Sequence, residues 1–240
     1  MNNNELKYIQ SFAHKKHWAQ ESVFIVEGPK LVKEVVESDW TIEKLYATPD
    51  WIASQQVLHP TTESIDDIVL ERISQLHTPN KVLALVKKQI YNDPIVFENQ
   101  LTLVLDGIQD PGNLGTIIRT ADWFGVKQII VSEDTASLYN PKVIQSTMGS
   151  FLRVRIEVME VETVLSNTKL PVYGAILEGD SIYEHKMDAT GFLVIGNESK
   201  GIRPALLPFI KQPLTIPNFG QAESLNAAVA TGILLASWKA

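Results

Sequence analysis

The chain has 240 residues, 45% of them hydrophobic, and a formal net charge of −7, enough length for one large domain or two modest ones with an ample core. It contains no cysteine, which excludes disulfides, thiolate metal sites and a cysteine nucleophile. No apolar run approaches the roughly 18 residues of a membrane span, and Met1-Asn2-Asn3-Asn4-Glu5 does not begin a charged and apolar leader, so a cytoplasmic protein without membrane association is expected.

The first predicted element is a helix over Leu6–Trp18 with a basic face of Lys7, His14, Lys15, Lys16 and His17. His14 and His17 share a helical spacing, but no carboxylate is placed to complete a metal site, and no metal is expected. Val23–Val26 reads as a strand, and Glu27-Gly28-Pro29 turns it into a helix near Lys30–Glu37, with Pro at a first helical position. Ile42–Ala47 and Val82–Val86 read as further strands with helical stretches between them, giving a small α/β domain over residues 1–88. The polar, proline-ended stretch from Lys87 to Pro94 opens a linker, set at residues 89–99.

Beyond the linker, in a second domain over residues 100–240, apolar strand candidates recur at Leu101–Leu105, Gln128–Val131, Val172–Leu177, Phe192–Ile195 and Leu214–Ile216. Helical patterns fall at Leu114–Phe124, Pro141–Met148 and Leu225–Trp238. Alternation of nearly continuous apolar strands with helices predicts an α/β fold with a parallel sheet covered on both faces. The sequence has no G-x-G-x-x-G after the first strand of this domain, no P-loop and no G-x-S-x-G, so dinucleotide, nucleotide-triphosphate and serine-hydrolase sites lack support.

Three segments carry chemistry. In the first, the strand ending at Leu105 runs through Asp106-Gly107-Ile108-Gln109-Asp110-Pro111-Gly112 into a helix expected to start near Asn113, a favoured cap residue. Arg119 then falls early in the helix, where a cation opposes the macrodipole, so something other than helix stability accounts for it. In the second, a buried strand ends in Gly196-Asn197-Glu198-Ser199-Lys200-Gly201, and its glycines permit positive φ and close approach of a ligand. In the third, Ile216-Pro217-Asn218-Phe219-Gly220 leads to a helix expected to be capped near Ser224 and apolar almost to Trp238. Such a helix is buried in the core or against another subunit, and its one early amide, Asn226, needs a partner.

In order and spacing these segments resemble the three motifs of the SpoU (TrmH-type) RNA 2′-O-methyltransferases of the SPOUT class. Asn113-x-Gly115-x-x-x-Arg119-x-Ala121 is similar to motif 1, Gly196-Asn197-Glu198-x-x-Gly201 to motif 2, and Ile216-Pro217-x-x-Gly220-x-x-x-Ser224-Leu225-Asn226 to motif 3. Asn140–Val143 through Met148–Ser150 resembles the family's linking region, and Phe24-Ile25-Val26-Glu27-Gly28 its ribosomal-protein-like substrate-binding extension. Ala227-Ala228 stands where Val-Ser is commoner, a change that touches packing more than chemistry.

The resemblance implies a deep trefoil knot, a homodimer through the catalytic domain, and S-adenosylmethionine as cofactor. It also implies methyl transfer to a ribose 2′-hydroxyl of structured RNA, with ribosomal RNA preferred over tRNA because of the N-terminal extension. The catalytic set it implies is Asn113, Arg119, Glu198, Ser224 and Asn226; the cofactor set is Gly196, Asn197, Ile216, Ser224 and Leu225. Arg119 would bind the neighbouring phosphate and stabilise alkoxide charge, since a guanidinium is a poor base. Asn113 would fix Arg119 or the ribose, and Glu198 would orient Arg119 or substrate or serve as base. The basic helix and Lys30 and Lys33 are candidates for RNA contact, although residues 1–90 hold 10 basic against 12 acidic side chains and residues 91–240 hold 11 against 16, a balance that argues against RNA. A catalytically silent RNA-binding homologue, a base-nitrogen methyltransferase and a small-molecule α/β enzyme are the alternatives.

Overall fold

The computed structural model describes residues 1–184 and 187–239. It separates into two units, residues 1–93 with 139–152, and residues 94–138 with 153–240.

In the first unit, α1 (Asn3–Ser11) starts with a capping box in which the Asn2 side chain accepts from the Glu5 amide and Glu5 answers the Asn2 amide, an arrangement worth about 1 kcal/mol. The expected helix over Leu6–Trp18 is broken. α1 stops at Ser11 and α2 (Lys15–Gln20) follows after a turn. The break is held by the Trp18 indole N–H, which donates to the Phe12 carbonyl at 2.7 Å, while Phe12 itself is buried. The basic residues assigned to one face therefore lie on two elements.

β1 (Val23–Glu27), α3 (Pro29–Val36), β2 (Ile42–Ala47), α4 (Pro49–Ala53), β3 (Thr62–Ser64), α5 (Asp67–Ile73) and β4 (Val82–Lys87) follow. Gly28, at φ 92°, makes the tight exit from β1, and Pro29 presets the first turn of α3. The sheet order is β1-β4-β2-β3, antiparallel except for the β2–β3 pair. β1 is buried on both faces: Val23 and Ile25 join Leu6, Ile9, Phe12, Leu70 and Ile73 of the helices on one side, and the alternate residues Phe24 and Val26 point to the other, where α3 packs.

The second unit begins with β5 (Leu101–Asp106), α6 (Pro111–Trp123) and β6 (Gln128–Val131). The chain then leaves it. Residues 139–152, with α7 (Pro141–Thr147), belong to the first unit, where α7 packs on β1 and Phe24 is ringed by Trp40, Tyr139 and Phe151 at centroid distances of 5.9, 5.1 and 5.7 Å. β7 (Arg155–Val158), α8 (Val161–Asn167), β8 (Val172–Ser181), β9 (Gly191–Gly196), β10 (Gln212–Thr215) and α9 (Ala227–Lys239) complete the second unit. α4 and α5 are the helical stretches expected between β2 and β4, whereas β3, β7 and α8 are additions to the elements read from sequence.

All strands of this sheet are parallel, in the order β10-β8-β9-β5-β6-β7, as the apolar runs lead one to expect. Val104, Ile130, Phe192 and Val194 pack with Val161, Leu165, Ile202 and Leu206 on one face. Their sequence neighbours point to the opposite face, where α9 packs on β9 and on α6. From β5 the chain proceeds to β6 on one side, and from β9 it proceeds to β10 on the other. The carboxyl ends of β5 and β9 therefore form a switch point, the usual crevice for a ligand in an open α/β sheet.

Candidate active site

The motif residues converge at that crevice. β9 ends at Gly196, and residues 197–201 fold back on themselves: the Asn197 and Gly201 amides each donate to the other's carbonyl, at 3.0 and 2.9 Å. Gly201 has φ 67°, whereas Gly196 is required by close approach, since a Cβ there would lie 2.2 Å from the Gly201 carbonyl carbon. The Asn197 side chain caps the turn by accepting from the Ser199 and Lys200 amides. Its Nδ2 donates to the Gly107 carbonyl at 2.7 Å, tying the turn to the end of β5.

α6 is capped by Asp110, which accepts from the Asn113 amide at 2.8 Å, with Pro111 at the first helical position. This corrects the expectation that Asn113 is the cap, and the Asp-Pro pair was the overlooked signal. It also moves Arg119 from an early position to the middle of the helix, so the argument from the opposing macrodipole does not apply. Freed from capping, Asn113 donates from Nδ2 to Glu198 Oε1 at 2.8 Å.

The start of α9 is corrected in the same way. The helix begins at Ala227, and Asn226, not Ser224, caps it by accepting at Oδ1 from the Ala228 and Val229 amides at 3.0 and 3.2 Å. With its oxygen held by the helix end, Asn226 presents Nδ2 outward and donates to Asn113 Oδ1 at 2.9 Å. A one-way chain of hydrogen bonds thus runs from α9 through Asn226 and Asn113 to Glu198, and the carboxylate at its end acts as acceptor. The Arg119 side chain is exposed and makes no hydrogen bond or ion pair among the described residues.

Beside this chain lies a cavity of about 520 Å³. Gly196, Asn197, Glu198, Ile216, Ser224 and Leu225 all line it, together with Ile195, Leu214 and Leu234. Asn113, Asn226 and Arg119 are not in its wall; the first two reach it through Glu198. A further wall was not foreseen. β10 pairs with β8 at Gln212↔Tyr173 and Pro213↔Gly174, then jumps to Leu214↔Asp180. Residues 175–179 are left out of the ladder, and Ala175, Ile176 and Leu177 face the cavity. The Thr215 hydroxyl holds this excursion by donating to the Leu177 carbonyl at 2.9 Å.

The residues that sequence reasoning missed are Asp106, Asp110, Asp134 and Arg203. The Arg203 amide donates to Asp106 Oδ2 at 2.8 Å, its guanidinium pairs with Asp106 Oδ1, and its Nη2 donates to Asp134 Oδ1 at 2.8 Å. The Ser132 hydroxyl hydrogen bond, with Arg203 beside it, holds the Asp134 carboxyl below the usual carboxylate range. Asp106 and Arg203 lie 97 positions apart, beyond any spacing rule. Among the described residues there is no cluster of His, Asp and Glu that could hold a metal, and no helix is long and apolar enough to cross a membrane.

Comparison with known proteins agrees with this layout. Residues 100–236 match the SpoU rRNA Methylase family, and residues 3–84 match the MRM3-like substrate binding domain. The chain is 29% identical over 238 residues to the 23S rRNA (guanosine(2553)-2′-O)-methyltransferase RlmP of Bacillus subtilis, covering 97% of this chain and 95% of that protein. Its fold matches that of a TrmH-family protein from Porphyromonas gingivalis with a TM-score of 0.88 and 36% identity, covering 99% and 98% of the two chains. It matches an AdoMet-bound rRNA methyltransferase from Sinorhizobium meliloti with a TM-score of 0.87 and 28% identity, covering 99% and 94%.

Proposed function

The chain belongs to the SpoU rRNA methylase family, and from that premise we propose that it transfers a methyl group from S-adenosylmethionine to a ribose 2′-hydroxyl of 23S ribosomal RNA. The observation that carries this reading is the convergence of all three motifs on one cavity, with the polar chain Asn226–Asn113–Glu198 at its side. The similarity to RlmP favours ribosomal RNA over tRNA.

The cavity fits the cofactor. Its volume lies in the range of small-molecule sites, its apolar walls Ile195, Leu214 and Leu234 suit an adenine ring, and Gly196 lets the 197–201 turn of its wall fold close against the end of β9. Gly196, Asn197, Ile216, Ser224 and Leu225 would hold it. When bound, S-adenosylmethionine supplies an electrophilic methyl on a sulfonium centre.

The protein's own contribution is positioning and charge. Asn226 fixes the Asn113 amide, and Asn113 holds the Glu198 carboxylate as an acceptor beside the cavity, where it orients the ribose hydroxyl or takes its proton. Arg119, a cation with no partner of its own among the described residues, binds the adjacent phosphate and stabilises the developing alkoxide. Residues 1–88 form the RNA-binding domain, in keeping with their similarity to a substrate binding domain, residues 89–99 the linker, and residues 100–240 the catalytic domain, except that its segment 139–152 packs in the first unit.

The family reading extends to a trefoil knot in the loops around β9 and β10 and to a homodimer. The exposed side of α6 and α9 supports the dimer: Trp123 is 85% exposed and Val229 52%, and a helix as apolar as α9 is expected to be covered. Its place of action is the cytoplasm, where ribosomal RNA is assembled into particles.

The test is to incubate the protein with methyl-labelled S-adenosylmethionine and with 23S rRNA, large-subunit particles and tRNA, then identify the labelled nucleosides. A 2′-O-methyl nucleoside from 23S rRNA or the particle is expected. Label on a base would overturn the ribose assignment, and label confined to tRNA would overturn the substrate.

A further inference from the structure

The turn that carries Glu198 is fastened twice to the end of β5. At its start Asn197 donates to the Gly107 carbonyl; just past its end Arg203 grips Asp106 through its backbone amide and its guanidinium. Arg203 does not line the cofactor cavity. It sits on the other side of the turn, in a second cavity with Ser132, Asp134, Glu160 and Leu206.

We propose that Arg203, through its bridge to Asp106 and Asp134, is a positioning residue for methyl transfer, setting the turn 196–201 and hence Glu198 and the cofactor wall. The inference rests on the methyltransferase reading of that cavity.

The geometry is that of a clamp. The Asp106 side chain is 1% exposed and that of Arg203 44%, so a buried carboxylate at the strand end is matched by a cation on a chain segment arriving from β9. Arg203 is forked: one edge meets Asp106 and Nη2 meets Asp134. Asp134 is in turn braced by the Ser132 hydroxyl at 2.7 Å, which accepts from the Gly107 amide at 2.8 Å. Gly107, at φ 72°, lies directly under the clamp, where a Cβ would come within 3.2 Å of Asp134 Oδ2 and 3.8 Å of Arg203 Nη2. Both fastenings therefore end on consecutive residues, 106 and 107, at the start of the loop that leads into α6 and Asn113. The two halves of the Asn113–Glu198 contact are held in register from behind. A guanidinium serves because it spans two carboxylates with a planar fork; an ammonium is a single point charge.

The test compares the wild type with Arg203→Ala and Arg203→Lys by steady-state kinetics against S-adenosylmethionine and by amide hydrogen exchange without cofactor. Expected are amides of residues 197–202 exchanging at least tenfold faster in Arg203→Ala, with those of β5 and α6 unchanged. Also expected is kcat/KM for S-adenosylmethionine at least tenfold lower, below the melting temperature of the variant, with Arg203→Lys between the two. Unchanged turn exchange in Arg203→Ala overturns the clamp, as does wild-type kcat/KM in the folded variant. A wild type that binds S-adenosylmethionine without methylating RNA would count against the reaction, while the exchange data would still decide the clamp.

Discussion

Asn226 donates to Asn113 across 2.9 Å with a polarity that α9 dictates, because the Asn226 oxygen is occupied by the first amides of that helix. Asn226→Asp preserves the cap and adds a charge favourable at a helix start. It also forces two acceptors together, either at Asn113 or, if that amide turns over, at Glu198. The expected result is an unchanged or raised melting temperature with kcat reduced about 100-fold. Wild-type turnover in that variant would show that the direction of the chain is irrelevant to catalysis.

Arg119 stands exposed and without a partner among the described residues. Arg119→Ala is expected to lower methyl transfer by about 100- to 1000-fold, the usual loss for one preorganised charge-stabilising donor, and to leave S-adenosylmethionine affinity within about twofold. Labelled transfer and titration calorimetry measure the two separately. Full activity would remove Arg119 from the mechanism.

Gly196 tests the cradle. An alanine there meets the Gly201 carbonyl carbon at 2.2 Å, so the 197–201 turn must open. Calorimetry should show S-adenosylmethionine binding weakened by at least tenfold, about 1.4 kcal/mol. Unaltered affinity would place the cofactor elsewhere.

Glu27 supplies a pH dependence in the first unit. Burial pushes its carboxyl above the ordinary 4.5, against the opposing hydrogen bonds from the Ser74 hydroxyl and the Gln75 amide. Because the folded state favours the protonated form, this contribution is fully present below the unfolded value and is lost as pH rises through the folded one. Glu27→Gln keeps both contacts, the serine hydroxyl turning from donor to acceptor. It should melt above the wild type at neutral pH, with the difference closing as pH falls below about 4.5. A difference that does not vary with pH would contradict this account.

Trp123 tests the dimer. The wild type should show twice the chain's mass by light scattering, and Trp123→Glu, on a side chain 85% exposed, should shift it to the single chain. A wild type of single-chain mass would refute the dimer.

The features legible in the sequence are those written locally. Strands buried on both faces appear as unbroken apolar runs, as in Leu101–Leu105, and glycine and asparagine spacings mark the turns around the cavity. Short or half-buried strands leave a weak trace: β3 has three residues, and β7 is the half-exposed edge Arg155-Ile156-Glu157-Val158. The helix caps were misplaced by one turn or less, yet that shift matters. It frees Asn113 and commits Asn226, and so creates the polar chain. Pairings such as Asp106 with Arg203, and the β8 excursion at residues 175–179, depend on strand order, which no local pattern encodes.

Residues 139–152 sit in the middle of the second unit's sequence yet pack within the first, with Tyr139 and Phe151 against Phe24. A cut at the apparent boundary near residue 93 would strip that segment of its apolar partners. It follows that the amino-terminal module cannot be exchanged between relatives as a simple prefix. A chimera that keeps its core must carry two matched pieces of sequence, and during synthesis the first unit stays unfinished until the ribosome has passed residue 152.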